Sequence, residues 1–106
     1  MIGIKAQIIR CINDESYPIV VECCFEDAHG WIHLFHDKDV IFSSETLDEN
    51  TRYPLDAIVG CEIVERSDGY QGVIVRVNTE KPWGIASTQG RKIFDVMRQQ
   101  LVEFEH

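Results

Sequence analysis

The chain is 106 residues long, 44% apolar and 26% charged, with room for one domain around one core and none for a second. Its apolar runs never approach the ~18 residues that a membrane span needs, so no membrane partner is expected. The formal net charge of −8 argues against nucleic acid, because that sign repels phosphate at long range.

Residues 2–12 read as a half-buried strand, with Ile2, Ile4, Ala6 and Ile8 on one face and Gly3, Lys5 and Gln7 on the other. The same opening lacks the basic start, apolar centre and small-residue cleavage site of a secretory leader, so a cytoplasmic location is expected. Asn13 to Pro18 form a turn cluster, and 19–27 is a β-rich return leg. His29-Gly30 supplies a turn into a third strand at 31–35, and Asp37-Lys38-Asp39 turns the chain again into the short apolar run 40–42. The spacing predicts a short helix over 43–50, with Ser43 or Ser44 as N-cap and Glu45 near its positive end. Strand returns at 57–65; Ser67-Asp68-Gly69 signals a hairpin, answered by 72–78 with Val73, Val75 and Val77 on one face. Pro82-Trp83-Gly84 interrupts the pattern, 85–88 is weakly β, Gln89-Gly90 is a turn, 92–97 is a strand and 98–101 closes in a helical turn.

The expected fold is mainly β: a small curved antiparallel sheet or barrel, OB-like or SH3-like, of about seven short strands with one or two short helical turns. It forms a single domain over 1–106. Nothing is long enough for the crossover of a parallel sheet.

Charge is the strongest functional signal. Between Cys11 and Thr51 stand ten carboxylates and one base, Lys38, whereas Arg76 to Arg98 carries five bases and two acids. Glu22, Glu26 and Asp27 read as a solvated acidic face in preference to an acid/base pair. Aromatic Trp31, Phe35, Tyr70 and Trp83 beside basic Arg76, Lys81, Arg91 and Lys92 are what nucleic-acid stacking would need, but the net charge opposes it.

His29, His33 and His36, with Asp37, are the metal candidates, since imidazole and carboxylate suit zinc. Strand spacing puts His33 and His36 on opposite faces, so no metal and no cofactor is expected. The four cysteines, Cys11, Cys23, Cys24 and Cys61, fall in apolar strand-like runs and read as reduced core fillers, with Cys23 and Cys24 facing opposite ways. No nucleophile elbow, P-loop or dinucleotide fingerprint occurs, so no catalytic residue is assigned and an enzyme is not expected. Trp83, between Pro82 and Gly84, reads as a plug over one end of the barrel or as a binding anchor.

The segments Leu47-Asp48-Glu49-Asn50, Glu80-Lys81-Pro82-Trp83-Gly84-Ile85 and Gly90-Arg91-Lys92-Ile93-Phe94-Asp95-Val96 resemble those of small uncharacterised bacterial cytosolic β proteins. In size and acidity the chain is also similar to immunity proteins of bacterial toxin systems. The acidic 14–49 region implies a protein-binding module for a basic partner, with contacts expected at Glu22, Glu26, Asp27, Asp48 and Glu49 and at Trp83 as an anchor; the resemblance carries no residues over and adds only the expectation of an immunity or inhibitor protein. The alternative is a small-molecule or metal-binding barrel with a site lined by His29, His33, His36 and Trp83 and with hydrolytic activity. A homodimer through a sheet edge is a third expectation.

Overall fold

A strand whose every second residue is apolar can bury one face only, and β1 (Ile2–Asn13) does so by turning Ile4, Ala6 and Ile8 inward while Lys5 and Gln7 stay in solvent. The computed structural model describes residues 1–15, 17–45, 47–48, 50–69 and 72–105, and only the backbone of 67–69 and 72. Antiparallel to β1 run β2 (Val20–Glu26) on one side and β4 (Leu55–Gly69) on the other. Beyond β2 lies β3 (Ile32–Lys38); beyond β4 lie β5 (Gly72–Asn78) and then β6 (Ile93–Met97). A last strand, β7 (Leu101–Glu103), pairs with residues Ile2 to Ile4 of β1. Seven antiparallel strands thus make one strongly curled half-barrel sheet, as the alternation and turn pattern led one to expect.

Bulges produce the curl. The register of β1 on β2 slips between Ile8 and Arg10, and that of β4 on β5 between Ile63 and Glu65, each adding local twist. The sheet folds far enough for its ends to touch. Ala28 N–H donates to the Asp95 carbonyl, and Thr88 N–H donates to the Leu34 carbonyl on the outer edge of β3, both at 2.8 Å. Phe25, Phe35 and Phe94 pack inside this closure with centroids 5.3–5.8 Å apart, alongside Val21, Val59, Val75, Val77 and Val96.

The region between β3 and β4 differs from expectation. Residues 43–45, 47–48 and 50 are not helical, and 46 and 49 of the expected 43–50 helix lie outside the described residues; the helix among the described residues is a single turn, α1 (Asp39–Phe42), on the short apolar run 40–42. Its physical cause is packing: the turn buries Phe42, Leu47 follows it into the core, and the Asp39 Oδ1 accepts the Val40 N–H at 2.9 Å. Ser43 then ends the turn, its N–H bonded to the Asp39 carbonyl, and its Oγ accepts the Glu45 N–H instead of capping a helix. Residues 85–88 form no strand but a loop held by Thr79, whose Oγ1 donates to the Ile85 carbonyl at 2.7 Å. The 67–69 turn signal belongs to β4 itself; Gly69 still pairs with Gly72, and the connection at 70–71 lies outside the described residues. A 3₁₀ turn at Arg98–Gln100 matches the expected helical turn, and β7 after it carried too few residues to be read as a strand.

Candidate functional site

The sequence placed Glu22 and Asp27 on a solvated acidic face; the fold corrects both. Glu22 faces outward on β2, in register with Arg10 on β1 and His36 on β3, and those two side chains cover it. Its Oε1 accepts from Arg10 Nε at 3.0 Å and its Oε2 pairs with His36 Nε2 at 2.6 Å. The Arg10 guanidinium first, and then His36, hold the Glu22 carboxyl below the usual glutamate range. Asp27 ends β2 and organises the turn into β3: its Oδ1 accepts the N–H of His29 at 2.8 Å and of Trp31 at 3.0 Å. Gly30, at φ +84°, gives that turn its left-handed residue. The Asp27 Oδ2 lies 2.7 Å from Nε2 of His33, whose ring is buried between Phe25 and Phe94. Burial pushes the Asp27 carboxyl up, but the His33 ring and the two backbone donors outweigh it and leave the group below its ordinary value.

Each of the three histidines therefore has its own carboxylate. His29 pairs with Asp95 at 3.2 Å, and Asp95 is also held by Arg76 at 2.9 Å, which keeps its carboxyl low. Only the His29–Asp95 pair crosses the closing seam of the half-barrel; the other two join β2, or the turn after it, to the neighbouring β3. His33 points inward and His36 outward, as the spacing required. Among the described residues no three His, Cys, Asp or Glu side chains are gathered as a metal site. The seam also consumes the basic patch: Arg76 is bonded to Asp95 and near Glu65, Lys92 is bonded to Glu80, and Arg91 lies 5.7 Å over the Phe94 ring. Of the stacking aromatics, Phe35 is buried, Trp31 is exposed and Tyr70 lies outside the described residues.

Trp83 sits half-buried on the outer side of β4. A Cβ at Gly60 would fall 2.8 Å from its ring, so the indole lies directly on the strand backbone, with the Phe104 ring 5.5 Å away. Cys23 and Cys61 are buried, and burial pushes the Cys61 thiol up to about 12 and the Cys23 thiol upward too; Cys11 and Cys24 are half-buried and also raised by burial.

Five of the remaining carboxylates gather in one region. Beside the β1–β2 connection a cleft of about 640 Å³ is lined by Cys11, Asp14, Tyr17, Ile19, Asp48, Asn50, Thr51 and Tyr53. Its field is legible at Tyr53, whose phenol is pushed up by burial and then by Cys11, Asp39, Asp14 and Asp48. Next to it, sharing Tyr17, a groove of about 680 Å³ is walled by Pro18, Val40 and Leu47 and rimmed by Asp39, Glu45 and Glu105. Among the described residues, five acids and no Lys, Arg or His line the two. Among the described residues, none of these five takes part in an ion pair.

Of the expected contact residues, only Asp48 stands in this region; Glu49 lies outside the described residues, and Glu26 is exposed at a separate depression with Lys5, Gln7, Cys24, Ile32 and Asp56. Tyr17 and Tyr53 escaped the sequence reading. Each precedes a proline in a turn, and that shared Tyr-Pro pattern was the signal available. Comparison with protein-family models, with curated proteins and with solved structures gives no match. Among the described residues no helix is long and apolar enough to cross a membrane.

Proposed function

We propose that this chain is a non-enzymatic protein-binding module that engages a basic protein partner, in the manner of an inhibitor or immunity protein. The observation that supports the reading is the cleft at the β1–β2 connection, where Asp14 and Asp48 stand beside Tyr17 and Tyr53, Asp39 adds its field at Tyr53, and no base lines the cleft among the described residues. An acidic concavity of this kind steers a positively charged surface toward it and speeds encounter, more than it adds to final affinity. The other carboxylate clusters are used internally, with Glu22, Asp27 and Asp95 each bonded within the fold. His33, the most chemically suggestive side chain, is 6% exposed and packed between two phenylalanines, which leaves it a role in holding the seam.

The test is affinity capture of basic proteins from the native host at low and then at high salt, with wild-type protein and the Asp14→Asn/Asp48→Asn variant side by side. A stoichiometric basic protein that elutes with salt and is lost from the variant is the expected result, since exposed charge pairs weaken as the Debye length shortens. Retention of the same partner by the variant would overturn the assignment of this cleft.

A further inference from the structure

We infer that the partner is read through one polypeptide segment that sets a lysine or arginine beside a large aliphatic residue, the cation entering the acidic cleft and the aliphatic side chain the adjoining groove. This rests on the protein-binding reading above and adds the chemistry of the ligand. The two concavities adjoin at Tyr17, 79% exposed, which lines both. The groove is apolar at its centre: Leu47 is buried beneath it, and Val40, 52% exposed, stands open on the single turn of α1. Glu45 and Glu105 at its rim select by charge, favouring a cationic segment over an acidic one.

The geometry suits lysine and arginine in a particular way. Their aliphatic stems can lie along Tyr17 while the charged head reaches Asp14 and Asp48, so one side chain uses both the aromatic and the carboxylate. A free polyamine would satisfy the acids and leave the Val40–Leu47 groove empty, which is why the occupant is assigned as polypeptide. An apolar contact there also excludes water from the neighbouring charge pair and strengthens it.

The experiment measures binding of three short labelled peptides to the full chain by fluorescence anisotropy at low salt: one with paired lysines and leucines, one with its leucines changed to serine, and one with its lysines changed to glutamate. The lysine–leucine peptide is expected to bind at least roughly tenfold tighter than the serine peptide, and the glutamate peptide not to bind. Val40→Asp is expected to erase the leucine advantage while sparing serine-peptide binding, and Asp48→Asn to weaken both basic peptides; Tyr17→Ala, at a residue too exposed to matter for folding, provides a second variant that lowers both. Equal binding of the two lysine peptides would overturn the inference and leave the acidic-cleft reading standing. Spermine displacing the label as well as the lysine–leucine peptide does would overturn it in favour of a small organic cation, and a salt-sensitive dimer of the protein alone would put a second copy in the groove. Failure of every basic peptide, together with capture of a basic partner that ignores Asp14→Asn/Asp48→Asn, would remove both readings.

Discussion

Replacing Asp27 with alanine tests whether the buried His33 pair holds the seam. The carboxylate accepts three hydrogen bonds: from His33 at 2.7 Å, from the His29 N–H at 2.8 Å and from the Trp31 N–H at 3.0 Å. Loss of a charged partner from a buried group costs ~1.5–3 kcal/mol, and each backbone bond at the turn ~0.5–1.5 kcal/mol, less where water replaces the carboxylate. Asp27→Ala should therefore destabilise by ~3–4 kcal/mol, a large share of the ~5–15 kcal/mol typical of a domain. Asp27→Asn keeps an acceptor for the two turn N–H groups and loses only the charge, so ~1–2 kcal/mol is expected. Urea unfolding at neutral pH, followed by circular dichroism and tryptophan emission, measures both. Adding His33→Phe to Asp27→Ala removes the orphaned imidazole from between Phe25 and Phe94, and should recover ~1 kcal/mol or more. Alanine and asparagine variants of equal stability, or an alanine variant within ~1 kcal/mol of wild type, would refute the reasoning.

Acid should weaken the fold through the same groups. Glu22, Asp27 and Asp95 each have a folded-state carboxyl held below its unfolded value, so each stabilises fully above the unfolded value of ~4 and loses that contribution as pH falls through its folded value. The urea midpoint should drop below about pH 4, less steeply in Glu22→Gln and Asp95→Asn, and a flat midpoint down to pH 2 would contradict the ion-pair assignments. Gly60→Ala places a Cβ 2.8 Å from the Trp83 ring and should cost ~1–3 kcal/mol with a shift in tryptophan emission. An unchanged spectrum and midpoint would mean that the indole does not rest on β4. Cys23 and Cys61, buried and with raised thiol values, should resist a thiol reagent at pH 8 until urea exposes them. Rapid labelling of both in the native protein would displace them from the core.

Period-two alternation found β1, β4 and β5, because burying one face of a pleated strand leaves that pattern in the residues, and β-rich runs between turn signals found β2, β3 and β6. The opposite facing of His33 and His36, and of Cys23 and Cys24, followed from the same geometry. The 39–50 region was not legible, since Val40-Ile41-Phe42 has strand composition and only the demand to bury Phe42 and Leu47 makes it a turn of helix. β7 is three residues long, too short for any period, and exists because β1 leaves an edge open beside Ile2, Gly3 and Ile4.

For the candidate site, the sequence by itself determined the surplus of acid in the first half of the chain and the sign of any partner it attracts, because net charge is a sum that needs no fold. Which acids are left outside the ion pairs was decided only by the tertiary structure. Cross-strand register brings Arg10 and His36 to Glu22 and Arg76 to Asp95, the β2–β3 turn brings His33 to Asp27, and the curl of the sheet brings His29 to Asp95 from far along the chain. Asp14, Asp39 and Asp48 are left to gather around Tyr17 and Tyr53, since they lie in connections that converge at one end of the curled sheet. Local pattern reports how each residue is oriented within its own strand, and long-range pairing decides which charge it meets there.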